Sequence, residues 1–422
     1  MGDVDFADAR GRLHQHDTFN RVAGTPWYAD AVYDRFSEQE YDRRFRATHG
    51  KMARLGLDAL IAPGGSNHWS YGGGMRWLTN HWEWHGVAAY AVVPRDEEPI
   101  LVCGPGGAHR EAIRRATPVR DVRESRRGRF GATIAEVLSE RGLERGTIGH
   151  AFVDPFFESS MPANDLDALR EKLPDAQIRS VGDFFHELVH RKSDEEIESV
   201  RRAGELMDRA MEAMIEAVRP GATEYQLAAA AAHAIMDGGG QLDFLIIGST
   251  ATSAPGLIFG NPWPSGRVLR AGDIVINELA CSYRGYTVQT GTPVCVGEPP
   301  SWVRTFFDDV LEGFDRMAAQ LRPGNTWEDV RQAGRYYAER GYDSRPLLLH
   351  CIDFVTHTPQ VLVEGVRADE GDEEIVPRVL AMLEPTVVNA EGTFGMFLGR
   401  SYVITEDGHE QVTKFPTELV VA

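Results

Sequence analysis

Aromatic and imidazole side chains crowd one stretch of this chain. Asn67-His68-Trp69-Ser70-Tyr71 is followed by Gly72-Gly73-Gly74, Arg76-Trp77 and His81-Trp82-Glu83-Trp84-His85. Four tryptophans and a tyrosine within sixteen residues exceed what one strand edge needs. Aromatic faces attract cations, so Trp69, Tyr71, Trp82, Trp84 and His85 are candidates for a cage around a cationic ligand. The competing reading is an aromatic dimer interface. Further along stand His350, His357 seven residues on, and Glu384. Imidazole serves as general acid or base near neutral pH, and a carboxylate within hydrogen-bond reach orients it and stabilises its charged form.

The elements that must position these groups follow from periodicity. Tyr41, Phe45, His49, Met52 and Leu55 have helical spacing, and the following LGLDALIAP reads as a buried strand. Strands are expected at 88–94, 100–104 and 147–153, with helices over 130–141 and 163–172, an alternation that argues for an α/β domain ending near residue 185. Ser193-Asp194-Glu195-Glu196 is a capping box that opens a long helix ending at Arg219-Pro220-Gly221. Thr223 starts a second helix over 224–236, stopped by Gly238-Gly239-Gly240. The arrangement then returns: a helix over 302–320, Arg322-Pro323-Gly324, and Thr326 opening a helix over 327–340. Each copy is followed by β-type segments: 242–249, 273–283 and 286–297 after the first, 347–355, 379–391 and 401–407 after the second. Two copies are too few for a solenoid, so the expectation is a duplicated domain with internal two-fold symmetry and one curved antiparallel sheet.

Composition narrows the function classes. A chain of 422 residues, 42% apolar and 9% aromatic, has material for two full-sized cores. The 63 acidic against 44 basic residues leave a charge of −19, which repels nucleic acid and anionic membrane surfaces. Cysteines at 103, 281, 295 and 351 are widely spaced in apolar segments and read as buried thiols of a reducing compartment. The acidic N-terminal stretch lacks a signal-peptide core, and no run approaches the ~18 apolar residues of a membrane span; a cytoplasmic location is expected.

Several ordered features resemble the creatinase/aminopeptidase P/methionine aminopeptidase (pita-bread) superfamily over nearly the whole chain. They are His190-Arg191-Lys192-Ser193, both Arg-Pro-Gly-x-Thr turns, Ala271-Gly272-Asp273, Gly285-Tyr286, His350 with His357-Thr358-Pro359, Leu383-Glu384-Pro385 and Val403-Ile404-Thr405-Glu406-Asp407-Gly408. The resemblance implies an α/β creatinase-type N-terminal domain over 1–187 and an α+β pita-bread domain over 188–422 with an internal pseudo-two-fold repeat. Metal-dependent members hold two divalent ions with two aspartates, one histidine and two glutamates, the bridging carboxylates setting the spacing that generates a nucleophilic hydroxide. The positions matched here are Glu278, Gln289, His350, Glu384 and Gly399. Gln289 and Gly399 fall where the family has bridging carboxylates, and neither residue can bridge. No metal cofactor is therefore expected, although Glu278, His350 and Glu384 could hold one divalent ion weakly. The family's histidine in the first half is matched by Asn261, or by Gly260 if the loop shifts by one, so the chain departs from creatinase as well.

The resemblance implies that Glu278, His350, His357 and Glu384 converge on a concave face, with Asn261 and Gln289 beside them and the 67–85 segment reaching over the pocket from a partner subunit. Two glutamates leave such a pocket negative, which favours a cationic metabolite. The leading expectation is a metal-independent creatinase-like enzyme performing C–N hydrolysis or elimination. The alternatives are a dimethylsulfoniopropionate-lyase-like enzyme, a metal-dependent Xaa-Pro peptidase and a non-catalytic binding protein. The apolar surface of the 67–85 segment also predicts a homodimer. Light scattering at micromolar concentration should return about twice the 46.8 kDa chain mass; a monomer would remove the argument.

Overall fold

The computed structural model describes residues 32–64, 73–82, 87–104, 107–125, 128–152, 160–352, 356–368 and 373–422. The chain divides into two compact units with the boundary between Leu188 and Val189. Among the described residues no helix is long and apolar enough to cross a membrane.

The first unit is a six-stranded mixed sheet, β1 (Ala59–Pro63), β2 (Ala89–Pro94), β3 (Ile100–Cys103), β4 (Asp121–Glu124), β5 (Thr147–His150) and β6 (Gln177–Ser180), in the order β4-β3-β2-β1-β5-β6. Its central strands are buried at every residue, as their unbroken apolar runs require. The strand expected at 147–153 stops at His150, and residues beyond Phe152 fall outside the description. Helices Phe130–Ser139 and Ala163–Lys172 cover the sheet, with Ile134, Leu138 and Leu169 in the core.

In the second unit the helix Asp194–Ala217 begins at Ser193, whose hydroxyl accepts from Glu196 N while the Glu196 carboxylate accepts from Ser193 N at 2.7 Å. The two Arg-Pro-Gly-x-Thr copies have the same backbone. Gly221 and Gly324 sit at φ +90° and +89°, a left-handed conformation that glycine adopts without penalty, and Thr223 and Thr326 each cap the helix that follows. In the second copy the expected helix is interrupted once: Trp327–Gly334 stops at Arg335 and a short helix Tyr336–Glu339 follows. A Cβ on Gly334 would lie 2.8 Å from Leu348 and 2.9 Å from Met317, so the chain presses onto its neighbours at a weak helix former.

The strands are β7 (Gln241–Ala251), β8 (Asp273–Tyr283), β9 (Tyr286–Gly291), β10 (Val294–Cys295), β11 (Asp343–Ser344), β12 (Leu347–Ile352), β13 (Thr356–Leu362), β14 (Val366–Arg367), β15 (Leu380–Leu383), β16 (Thr386–Val388), β17 (Gly395–Phe397), β18 (Gly399–Ile404), β19 (His409–Gln411) and β20 (Val420–Val421). An eleven-stranded sheet runs β14-β13-β12-β15-β18-β9-β8-β10-β20, with β7 on β8 and β19 on β18; β11, β16 and β17 form a small second sheet. The strand expected over 379–391 is cut at Pro385, which has no N–H for the ladder, and its two pieces enter different sheets. All four cysteines are buried.

Removing the Ser193 hydroxyl with Ser193→Ala leaves a helix N–H without its partner and should cost about 1 kcal/mol of unfolding free energy in a urea titration.

Candidate active site

Strand pairing alone brings the expected site residues onto one face. On β8, Glu278 and Ala280 point the same way, and Ala280 lies opposite Gln289 of β9. Gly291, two residues on, is opposite Gly399 of β18, and Ser401 is opposite Met382 of β15. Met382 is opposite His350 of β12, and Glu384 follows two residues after Met382. Glu278, Gln289, Gly399, Glu384 and His350 therefore share a face across five neighbouring strands.

His350 is buried, and its Nδ1 lies 3.1 Å from the Cys351 carbonyl oxygen. A carbonyl only accepts, so Nδ1 carries hydrogen and Nε2 is directed at Glu384, 3.6 Å from Oε1. Glu384 is held at the strand end by its backbone N–H, which donates to Leu348 O at 2.8 Å. Burial above all, and the Glu384 charge next, push the Glu278 carboxyl well above the ordinary carboxylate range, while Arg345 pulls in the opposite direction.

The two remaining positions are filled differently. Gln289 is buried, its backbone N–H donating to Ser401 Oγ at 3.1 Å, and among the described residues its Oε1 has no hydrogen-bond partner. At Gly399 a Cβ would lie 2.6 Å from Met382 Cε and 2.6 Å from the Phe397 ring. At Gly291 a Cβ would meet the same ring at 2.4 Å and the Asn277 carbonyl oxygen at 2.3 Å. Phe397 thus lies over both glycines. It packs edge-on against Phe259, centroids 5.4 Å apart, and Arg345 stacks on Phe259 with its guanidinium carbon 4.2 Å from the ring centre.

Asn261 and Gly260 lie against β7. Asn261 N is 2.9 Å from where a Gly248 Cβ would stand, and a Gly260 Cβ would lie 2.8 Å from Ile246, the residue opposite Glu278. His357 has its backbone opposite Cys351, and its side chain is outside the description. Trp69, Tyr71, Trp84 and His85 also fall outside the described residues. Trp82 is exposed, and the cation over its ring, at 5.1 Å, is the chain's own Arg76. Trp77, counted above with the aromatic segment, is fully buried against Phe185 and is core. His81 is also buried, and that burial, reinforced by Arg76, lowers its pKa to about 4, leaving it neutral near pH 7.

Residues 198–406 match the model of metallopeptidase family M24, and residues 44–188 match the creatinase/prolidase N-terminal domain. A relative named "Probable dipeptidase PepE" from Mycobacterium tuberculosis is 31% identical over 286 residues, covering 66% of this chain and 73% of its own. The chain belongs to metallopeptidase family M24. The ectoine hydrolase of Halomonas elongata is 22% identical and spans 92% of this chain and 98% of its own length. The X-Pro aminopeptidase structure from Thermotoga maritima superimposes with a TM-score of 0.75 at 19% identity, over 90% of this chain and 99% of that one.

The donor set does not fit the two-ion centre that the resemblance implies for metal-dependent members. A neutral carboxamide stands at one bridging position, and the other is a glycine whose side-chain space is taken by Phe397 and Met382. Among the described residues no group of three or more His, Cys, Asp or Glu is arranged to hold a metal ion. Sequence reasoning missed Phe397, Phe259 and Arg345. Only the glycines at 291 and 399 hinted that something large crosses those strands.

Because the space at Gly399 is occupied, Gly399→Ala should destabilise the fold by about 1–3 kcal/mol, the usual cost of overpacking. Thermal and urea unfolding would read this; an unchanged midpoint would show that the ring yields freely.

Proposed function

We propose that this M24 member is a hydrolase that opens a C–N bond of a small cationic metabolite by metal-independent acid–base chemistry. The observation that carries the reading is the His350–Glu384 pair beside buried Glu278, in a pocket where Gln289 and the covered Gly399 replace bridging carboxylates. With Nδ1 engaged by the Cys351 carbonyl, Nε2 is the nitrogen that exchanges protons. It takes a proton from water as the water oxygen bonds to the C–N carbon. The imidazolium so formed faces the Glu384 carboxylate, and the proton passes to the leaving nitrogen as the C–N bond breaks. A cationic substrate supplies the countercharge that buried Glu278 lacks. The near full-length ectoine hydrolase relative supports a hydrolase of this family acting on something other than a dipeptide. Elimination by abstraction of a carbon-bound proton uses the same pair, and product analysis separates the two.

A second reading, metal-dependent dipeptidase, is favoured by the relatives so named and by His350 Nε2, which faces Glu384. It needs Glu278, His350 and Glu384 to gather around one ion.

His350→Asn keeps the approximate shape and removes the titrating group. Turnover should fall by roughly 10²–10⁴-fold, the usual worth of a positioned acid or base, with the melting temperature little changed. Full activity in this variant would place the proton carrier elsewhere. Elemental analysis of protein purified without added ions should find substoichiometric metal, and chelator should leave turnover unchanged. Tightly held ions with chelator-abolished activity would establish the dipeptidase reading instead.

A further inference from the structure

Arg345 is an exposed cation beside an acidic pocket, and among the described residues it has no ion-pair partner. It sits on the link between the small sheet's β11 and β12, its backbone N–H donating to Thr386 O at 3.0 Å. Its guanidinium carbon lies over the Phe259 ring, 4.2 Å from the ring centre, and Phe259 packs on Phe397, the ring that covers Gly291 and Gly399. A guanidinium held over a ring keeps N–H donors for a carboxylate, which it can bind in bidentate fashion. Arg345 is near enough to the pocket for its charge to act on Glu278.

We propose that Arg345, stacked on Phe259, is a specificity-determining residue that selects zwitterions: the cationic head turns toward Glu278 and Glu384, and a carboxylate at the other end meets the guanidinium. The pocket then has two poles. Buried Glu278, half-buried Glu384 and Gln289 Oε1, which has no hydrogen-bond partner among the described residues, receive N–H or cationic groups, and exposed Arg345 receives the anion. Phe397 and Phe259 form an apolar wall between the poles. Short compounds bearing a cation and a carboxylate on one small skeleton fit this arrangement, whereas simple amines and cations with a neutral tail satisfy one pole only.

This inference rests on the cationic-substrate reading above, and the test is chosen to separate the two. Binding is measured by calorimetry for three matched pairs: guanidinoacetate and its amide, glycine betaine and its amide, and dimethylsulfoniopropionate and its amide. In at least one pair the carboxylate form should bind about tenfold more tightly than the amide, the discount from a buried contact reflecting the exposure of the rim. Arg345→Met should remove that preference without weakening the amide, and Arg345→Lys should retain part of it, with all variants unfolding at the unsubstituted temperature. A preference that survives in Arg345→Met, or the lack of any preference in the unsubstituted protein, overturns the inference. Equal turnover of acid and amide forms sinks it while leaving the proposed reaction standing. An Arg345-dependent preference without turnover of any compound leaves it standing and sinks the reaction. Failure of all six compounds to bind overturns both.

Discussion

The candidate site depends on the seam between β9 and β18, where the sheet strands of the first repeat copy meet those of the second. Only two residue pairs, Gly399 with Gly291 and Arg400 with Thr290, form the ladder there. Side chains do the rest. Ser401 Oγ accepts from Gln289 N and donates to Gln289 O. On the opposite face fully buried Arg400 donates to Thr290 Oγ1, Thr292 Oγ1 and the carbonyl oxygens of Gly291, Gly399 and Pro416. Burial lowers its pKa to about 10, so it stays charged near neutrality. A slip of one residue at this seam would turn Gln289 away from the pocket, because neighbouring side chains alternate between faces.

The same alternation makes the floor of the site a consequence of pairing rather than of any one contact. Glu278 and Gln289 come from the first copy, His350, Glu384 and Gly399 from the second. Their shared face is antiparallel sheet, and its pairing sets a 3.6 Å approach of His350 Nε2 to Glu384 Oε1. Where metal-dependent members, as the resemblance has it, bring carboxylates together around ions, this chain packs an aromatic ring over two glycines. An aromatic ring in that place lowers the local dielectric beside Glu278 and Glu384, which share that face of the sheet.

Much of the architecture was legible in the sequence because it is locally specified. The capping box at Ser193, the two Arg-Pro-Gly-x-Thr turns and the strand over 273–283 each depend on residues within a few positions of one another. The helix expected over 327–340 forms as Trp327–Gly334 and Tyr336–Glu339 with an interruption at Arg335, beside Gly334, which packs on Met317 and Leu348, partners outside its own helix's pattern. Likewise the single segment expected over 379–391 divides at Pro385, and its halves β15 and β16 join different sheets because their pairing partners lie elsewhere in the chain.

The sequence by itself determined that a glutamine and a glycine stand at 289 and 399, where the resemblance places bridging carboxylates, since those are facts of composition. It also determined the duplication, because both copies repeat the same short turn signals. Only the tertiary structure decided that Phe397 occupies the space beside Gly399, that Phe259 carries Arg345, and that burial with Glu384 close by raises the Glu278 pKa. Those outcomes arise from side chains brought together across strands far apart in the chain. Packing volume and desolvation are properties of the assembled neighbourhood and leave no periodic trace in the sequence.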